Sequence, residues 1–544
     1  IRTARKTEVL SCRTTMYKGH QERAHSPLRL LLKERHSDIR QGTHIVLDPQ
    51  PSNDPNDPLN WPLWKRDAVF GVIFINTILL AAVPPPLLAS SLTVLADIFN
   101  RPLSDMTQLS GYLVLVAGVL GPIVSALARK YGKRPQFIFS AIMGIIGTSV
   151  CIGSGDSYKI LLAGRLIQGL GTTAFESLSL AVLGDLFFVH ERGSRTGILV
   201  LCLTCMSSVV SIVSGPITER LGWKYMFIIH LPFVAAGAIA VLFYLPETQF
   251  RSALPEQRTV EEMLSGSLKG PIVEHNQTVS NDAVLEETQA YHKKTYVQSL
   301  AIFNGTYSSS FFKLLLAPFV MILNPAVLWS ILVGGIPVGF YGTLAYILAQ
   351  IWSGPPYNLS AAGNGYFYIG GLLGGLIGGV GGAKLCDMSS IWLVKRNRGT
   401  YEAEFRIPIQ ILGALLLGLG FFVFMWDVNH PTTHGYYLGA VCHGFICAGV
   451  TVTSTSSSLY IIDAYRAHAT EIFILSMTVK NLMFYGFSYF MNDWATQDGA
   501  GAVFKVYGIV SLCFLATNIP MYVLGKVNRK FVHGLVILHK FAGL

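Results

Sequence analysis

The stretch that decides the fold spans residues 161–197 and reads LLAGRLIQGLGTTAFESLSLAVLGDLFFVHERGSRTG. Its first two dozen residues are apolar enough to cross a bilayer as one helix, yet they include Arg165 and Glu176. A charge near the centre of a membrane helix costs roughly 2.5 to 3.5 kcal/mol on insertion scales, so it persists mainly where it faces a polar cavity or a partner. The two residues are eleven positions apart, which puts them on one helical face and about 16 Å apart along the axis. Each is therefore expected to point into a polar path through a bundle of helices.

The composition indicates an integral membrane protein built from helices. Of the 544 residues, 51% are hydrophobic and 13% are charged, with a mean hydropathy of +0.46; a soluble protein carries about twice that charged fraction. The net charge is +10, but the basic residues lie beside apolar stretches, which is a signal of membrane topology and not of nucleic-acid binding. We expect a monomer in a lipid bilayer, without nucleic acid as a partner.

Twelve apolar stretches are each long enough to cross the membrane, for which about 20 helical residues suffice. They lie near residues 68–92, 106–128, 136–155, 160–184, 197–217, 224–245, 326–351, 361–385, 407–426, 436–462, 470–491 and 502–525. Between the sixth and the seventh is a long hydrophilic segment, from which an amphipathic run, Ser310 to Leu323, leads back to the membrane. The three prolines Pro84 to Pro86 predict a break or kink in the outer part of the first span.

The expected fold class is an all-α integral membrane fold in which twelve transmembrane helices form two pseudo-symmetric six-helix bundles. The expected domains are a disordered tail (1–60), a first bundle (61–246), a central loop with an interfacial helix (247–325), a second bundle (326–526) and a C-terminal tail (527–544). If the N-terminus is inside the cell, the short inner loops hold twelve basic residues and the outer ones five, so we expect both termini in the cytoplasm. We call the side with twelve basic residues the basic side and the other the opposite side. We further expect the plasma membrane as the location.

Several motifs occur in the order typical of one family. Residues 165–171, RLIQGLG, resemble a fourth-span motif RxxQGxG, and the loop LARKYGKRP after the second span resembles a signature turn. Further matches are Pro246-Glu247-Thr248, Tyr460-x-x-Asp463-x-Tyr465 and Lys480-Asn481. Over about residues 57–525 the chain is therefore similar to the major facilitator superfamily, and specifically to twelve-span fungal drug:proton antiporters.

The chain departs from this family pattern in two places. Arg129 stands where many members have Asp, so a charge-pair gate built on that Asp is not expected. Glu219 and Arg220 follow Gly215-Pro216 where the best-known antiporters have two glycines. Because that glycine pair is linked to antiport, its absence leaves proton-coupled uptake open as an alternative.

The resemblance implies that the first, fourth, seventh and tenth spans surround a cavity, and that the fourth-span arginine takes part in proton coupling. We hypothesise that Glu176 exchanges a proton for Lys480 or for a cationic substrate, since a nearby cation changes the proton affinity of a buried carboxyl group. The alternative is a permanent contact of Glu176 with Lys480, or of Arg165 with Gln168, that only holds helices together. The predicted residues are Arg165, Glu176 and Lys480 for proton coupling; Asn76, Gln168, Tyr341, Tyr346, Tyr460 and Asn481 for substrate binding; and Gly132, Lys133, Arg134, Asp185, Arg192 and Asp463 for a cytoplasmic gate.

We expect a secondary active transporter that exports small organic molecules, xenobiotics or metabolites, in exchange for protons. Two alternatives stay open: proton-coupled uptake of a cationic nutrient such as a polyamine, and a transporter-like nutrient receptor whose central loop recruits cytosolic partners. An enzyme is not expected. A dinucleotide-like pattern, Gly169-x-Gly171-x-x-Ala174, lies inside an apolar helix with no preceding strand, and no Walker sequence is present. Accordingly, no catalytic residue, cofactor or metal is predicted.

Overall fold

The computed structural model describes residues 52, 54–250, 293–303, 305–306, 310–432, 434–465 and 468–533, and these form helices and turns without any strand. The predicted disordered tail up to residue 51, most of the central loop and the last eleven residues of the C-terminal tail lie outside the described residues.

The chain divides into two compact units. The smaller one comprises Ile1–Trp61, Phe187–Arg192 and Arg251–Lys293, of which only part is described. In it, the Asp57 carboxylate caps the short turn Pro58–Asn60 and accepts hydrogen bonds from the backbone N–H and the hydroxyl of Ser52, both at 2.9 Å. The larger unit comprises Pro62–Leu186, Gly193–Phe250 and Lys294–Leu544 and holds the long helices.

Twelve helices, the first of them a bent pair, match the twelve predicted spans in order. They are α1 (Leu63–Ala82 with Pro85–Phe99), α2 (Leu103–Tyr131), α3 (Arg134–Ile152), α4 (Tyr158–Leu186), α5 (Arg195–Leu221), α6 (Lys224–Tyr244), α7 (Pro325–Ser353), α8 (Ala361–Arg396), α9 (Ala403–Asn429), α10 (Gly435–Ala464), α11 (Ala469–Gln497) and α12 (Ala500–Val532). Within the described part, ten of them are long and apolar enough to cross a membrane, and the bent α1 makes eleven. The remaining helix, α11, has 29 residues but is more polar.

The predicted break in the first span is confirmed. The two parts of α1 meet at an angle of 43° between Ala82 and Pro85. The first part ends in a widened turn, Ile78–Ala82, and the second part begins with Pro85 at its first position. Three consecutive prolines supply no backbone N–H, so carbonyls in the preceding turn lose their helical partners and the helix must bend.

The two six-helix halves pack closely along α2 and α11. A Cβ atom on Gly118 of α2 would lie 2.8 Å from the Cβ of Asn481 on α11, so any residue other than glycine would force these helices apart. The Thr107 hydroxyl donates to the Ser488 carbonyl across the same pair of helices at 2.9 Å. The glycine therefore lets α2 and α11 approach closely, as small residues commonly do between membrane helices.

A connecting helix, Phe311–Leu323, precedes α7 in the sequence and agrees with the predicted amphipathic run. It packs against both α2 and α11. Ala317 and Pro318 are buried in that contact, whereas Phe312 is 70% exposed. The connecting helix therefore lies against the two helices through which the halves meet.

Candidate functional site

The predicted site residues Glu176, Lys480 and Asn481 come together between the halves. One carboxylate oxygen of Glu176 on α4 lies 2.8 Å from the Lys480 ammonium on α11. The other accepts a hydrogen bond from the Asn481 amide at 3.1 Å. The Glu176 side chain is 15% exposed and that of Lys480 27%. The ion pair therefore joins α4 of the first half to α11 of the second at a partly buried position.

This arrangement limits what can happen when the halves separate. Two paired charges largely neutralise one another, but removing one partner from a buried pair leaves an uncompensated charge, which is strongly unfavourable. Separating Glu176 from Lys480 therefore requires that water reach both groups, that a proton bind the carboxylate, or that another cation replace the ammonium. The pair is a place where the binding of a proton or a cation can be linked to movement of α4 against α11.

Arg165 is fully buried and lies away from Glu176. Its guanidinium donates to the Gln168 amide oxygen at 2.9 Å and to the Pro84 carbonyl at 2.8 Å. Longer bonds of 3.3 Å reach the Leu109 carbonyl and the Ser110 hydroxyl. The buried cation is thus solvated by neutral oxygen atoms, and the predicted contact between Arg165 and Gln168 is present.

The broken α1 depends on side chains from neighbouring helices. Arg165 donates to the Pro84 carbonyl, and Thr172 of α4 donates to the Leu80 carbonyl at 2.7 Å. A ring nitrogen of His230 on α6 lies 2.9 Å from the Leu79 carbonyl. Backbone carbonyls without helical partners are tolerated inside a membrane protein only when such groups satisfy them. Arg165 and Thr172 together therefore fix the position of the α1 break against α4.

The remaining predicted substrate residues lie in separate places. Asn76 faces α6, where its amide oxygen would contact a Cβ at Gly237. The Tyr341 ring stacks on His443 at 5.1 Å, and its hydroxyl lies 3.3 Å from the hydroxyl of Ser208 in the first half. Tyr346 is 4% exposed and packs edge to face on Phe484, whereas Tyr460 is fully buried against Trp329 toward the basic side.

Predicted gate residues form a tight cluster at the basic side of the first half. The Lys133 ammonium contacts the Asp185 carboxylate at the end of α4, at 2.5 Å. Gly132 has a φ of 110°, which glycine adopts without strain, and a Cβ there would collide with Glu247. The Glu247 carboxylate instead accepts hydrogen bonds from the backbone N–H groups of Lys133 and Arg134, both at 3.1 Å. The turn between α2 and α3 is thus held by acids from α4 and from the segment after α6.

Arg192, the other predicted gate residue in the first half of the sequence, belongs to the smaller unit. Its guanidinium donates to the Phe187 carbonyl at 2.7 Å.

The second half repeats the cation-to-aspartate contact. Arg406, in the first turn of α9, lies 3.1 Å from the Asp463 carboxylate at the end of α10 and also pairs with Asp387 of α8. Tyr401 donates to Asp463, and burial together with this carboxylate raises the pKa of the tyrosine. Lys133 with Asp185, and Arg406 with Asp463, therefore connect the N-terminal end of the third helix of each half, or the residue just before it, to the C-terminal end of that half's fourth helix.

One contact between the halves was missed by the sequence reasoning. Arg129, at the end of α2, forms an ion pair with Glu471 in the first turn of α11. Beside it, His468 is 5% exposed, and burial lowers its pKa, an effect that nearby Glu471 opposes and Arg129 reinforces. The signal available in the sequence was the unusual Arg129 itself, but nothing in the sequence identified its partner.

Two pockets lie elsewhere, near the ends of helices at the opposite side. One of about 230 Å³ is lined by residues that include Gln350, Tyr357 and Ala500. A more open one of about 570 Å³ runs along α11 and is lined by Phe487, Phe490, Asp493, Trp494 and Gln497. The Glu176–Lys480 pair lines neither of them.

Two six-helix halves joined by charged contacts within and beside the membrane spans define a membrane transporter. The chain belongs to the Major Facilitator Superfamily, whose profile matches residues 68–483. It is therefore a multi-pass membrane protein of the transporter class.

Relatives and solved structures agree with this assignment. The chain is 25% identical to an uncharacterized MFS-type transporter of Schizosaccharomyces pombe, over 91% of this chain and 90% of that protein. It is also 25% identical to the "Probable efflux pump mfs2" of Aspergillus flavus, over 81% and 97% of the two chains. In fold it resembles the xylose transporter XylE from E. coli in a partially occluded inward-open conformation, with a TM-score of 0.53, 16% identity, and coverage of 83% of this chain and 97% of that one.

Proposed function

We propose that this protein is a proton-coupled secondary transporter that exports small organic molecules, xenobiotics or metabolites. The observation that carries the proposal is the Glu176–Lys480 ion pair, because it is the kind of contact that a proton can open. Export is supported by the similarity to a fungal protein named as an efflux pump. Proton coupling is further supported by the likeness in fold to a D-xylose-proton symporter, with a TM-score of 0.54.

In the proposed cycle, a proton from the opposite side binds Glu176 and removes the attraction to Lys480. Lys480, carrying the only remaining charge of the pair, turns toward water, and the substrate that was carried from the basic side leaves on the opposite side. Loss of the proton on the basic side restores the pair and returns the halves to the starting arrangement. The gradient can drive this cycle because one proton crossing a pH step of one unit releases about 1.4 kcal/mol, and a potential of 100 mV adds about 2.3 kcal/mol.

Arg165 contributes to the cycle indirectly. By binding the Pro84 carbonyl it holds the broken α1 against α4, the helix that carries Glu176. Movement of α4 is thereby passed to α1. We propose Asn481, which binds the second Glu176 oxygen, and Tyr341, which contacts the first half through Ser208, as the residues closest to the substrate path.

In the same proposal the basic side faces the cytoplasm, the membrane is the plasma membrane, and the protein works as a monomer. A second candidate function is uptake of a cationic nutrient in the same direction as protons. The observation that favours uptake is Glu219 on α5, which stands where the best-known antiporters carry a glycine.

The test uses purified protein in lipid vesicles with an imposed pH gradient, in both orientations. Accumulation of cationic, neutral and anionic organic compounds is compared between the native protein, Glu176→Gln, and Asp493→Asn as the control, since Asp493 is an exposed carboxylate on α11. We expect Glu176→Gln to fold, because the Lys480 side chain that loses its partner is 27% exposed and more open to water than Glu176, but to lose dependence on the pH gradient, with the control unchanged. Normal proton coupling in Glu176→Gln would reject the mechanism, and accumulation only in the direction of proton flow would favour uptake.

A further inference from the structure

The two halves also meet at the opposite side, where α5 of the first half crosses the start of α8 in the second. Gly215 and Gly365 allow this contact, since a Cβ on Gly215 would lie 2.5 Å from the Ala361 carbonyl and one on Gly365 would lie 2.8 Å from the Ser211 carbonyl. Nearby, the hydroxyls of Thr93 on α1 and Ser353 on α7 lie 3.3 Å apart. At the opposite side, contacts of α5 with α8 and of α1 with α7 thus join the two halves.

Glu219 adds a charged contact at this crossing. Its carboxylate accepts a hydrogen bond from the backbone N–H of Ala362, the second residue of α8, at 3.0 Å. The Ser360 side chain already caps Gly363 at 3.3 Å, and the Ser360 carbonyl accepts from Asn364. The N–H of Ala362 is one of the first-turn donors that lack a partner within the helix. Glu219 supplies that partner from the other half of the protein.

The contact is favourable for two physical reasons. A carboxylate accepts a stronger hydrogen bond than a neutral group does. It also lies at the helix N-terminus, where the aligned peptide dipoles place partial positive charge. A glycine at position 219 could do neither. The residue by which this chain departs from the antiporter pattern therefore forms a bond between the halves.

We propose that Glu219 is a latch that holds the opposite side closed and has to release Ala362 each time the protein opens to that side. Alternating access in this class of fold moves one half against the other around a central site. Opening at the opposite side separates α5 from α8, so the energy of the latch is lost in the open state alone. Glu219 thereby biases the resting protein toward the basic-side-open or closed states. This inference rests on the proposed transport cycle only in requiring that the opposite side opens.

The test measures the opening directly and needs no substrate and no proton gradient. In a chain whose eight cysteines are replaced, Thr93→Cys and Ser353→Cys are introduced together, and the rate of oxidative cross-linking is measured in membranes. Ser353→Cys alone is labelled with a membrane-impermeant maleimide. Both measurements are made with Glu219, Glu219→Ala, Glu219→Asp and Glu219→Gln, and with Asp97→Asn as the control, because Asp97 is an exposed carboxylate near the same end of the first half.

We expect Glu219→Ala to slow cross-linking and to speed labelling by roughly two- to fivefold, the range typical of a charge at a helix terminus. Glu219→Asp should behave similarly, since its shorter side chain does not reach Ala362. Glu219→Gln should lie between the native protein and Glu219→Ala, because its amide oxygen still accepts the bond but carries no charge to interact with the helix dipole. Monodisperse elution in detergent shows that each variant folds. Unchanged rates in folded Glu219→Ala and Glu219→Asp would overturn the proposal, as would equal changes in Asp97→Asn. Because these rates are measured without substrate or a proton gradient, a failure of the proposed function in the Glu176→Gln transport test would not change them.

Discussion

Arg129 on α2 forms an ion pair with Glu471 on α11, so opposite charges join the two halves at the basic side. The family pattern has an acid at the position of Arg129 in many members, and a gate built on that acid was not expected here. The structure has a charge pair at this place all the same, with the cation on α2 and the acid on α11. The side chains are 28% and 10% exposed, so the pair is only partly open to solvent.

Reversing one charge of this pair should impair the protein, and reversing both should restore it. Arg129→Glu places two acids together, and Glu471→Arg places two cations together. We expect the free energy of unfolding of each single variant to fall by at least about 1 to 3 kcal/mol, which is the cost of leaving a buried polar group unpaired. Folded yield and initial transport rate in vesicles measure the effect. Full activity of either single variant, or no recovery in the double variant, would mean that the pair does not matter.

The burial of His468 is expected to make the folded protein less stable in mild acid. Burial lowers its pKa below the ordinary value of 6.5, so in the window just below that value the unfolded chain binds a proton that the folded chain does not. Folding stability must then fall as the pH drops from about 6.5 toward the lowered pKa. The thermal unfolding midpoint in detergent at pH 7.5 and pH 5.5 measures this. His468→Gln should reduce the difference between the two midpoints, and an unchanged difference would contradict the prediction.

Arg165 should be required for the stability of the first half. Arg165→Lys keeps the charge but cannot bind Gln168 and Pro84 at the same time, which leaves at least one buried acceptor without a donor. We expect the free energy of unfolding of Arg165→Lys to be lower than that of the native protein by about 1 to 3 kcal/mol. Arg101→Lys is the matched control, since Arg101 forms an exposed pair with Asp105 that should contribute no more than about 1 kcal/mol. Comparable unfolding midpoints for the two variants would show that the Arg165 network is dispensable.

Removing both charges of the central pair separates a coupling role from a structural one. Lys480→Met alone leaves the Glu176 carboxylate buried without its cation, so we expect poor folding. Glu176→Gln with Lys480→Met leaves no uncompensated charge, and the folded yield should recover. If the pair only holds α4 and α11 together, the double variant should still transport in response to a pH gradient. We expect it to have lost that response, as measured by solute accumulation in vesicles.

The fold could be predicted from the sequence because each span is marked by its own residues. Long apolar runs fixed the number and order of the helices, and Pro84 to Pro86 fixed the break in α1. Helix ends were harder, since α8 runs to Arg396 and α12 to Val532, beyond the predicted ends at residues 385 and 525. Both extensions carry basic and polar residues beside the membrane. Hydropathy detects where a helix leaves the membrane and not where it ends.

The candidate site was predictable only in part. A charge inside an apolar span is conspicuous, so Glu176, Lys480 and Arg165 can be found one by one, and a contact of Glu176 with Lys480 is one of the alternatives that the sequence leaves open. Glu219 and Glu471 could not be assigned in the same way, because an acid at a helix end is ordinary in any sequence. Their partners lie 143 and 342 positions away along the chain. Such contacts depend on how the two halves meet, which local sequence does not encode.

The polar character of α11 has a consequence for how the protein is made. Glu471, Lys480 and Asn481 bind groups on α2 and α4, and without these partners the helix would have to enter lipid with its charges exposed. The ribosome synthesises α2 and α4 long before α11, so their side chains are already in the bilayer when α11 leaves the translocation channel. Because of this order, the polar groups of α11 can bind their partners on α2 and α4 as α11 enters the membrane. A truncated protein that began after α6 would lack those partners.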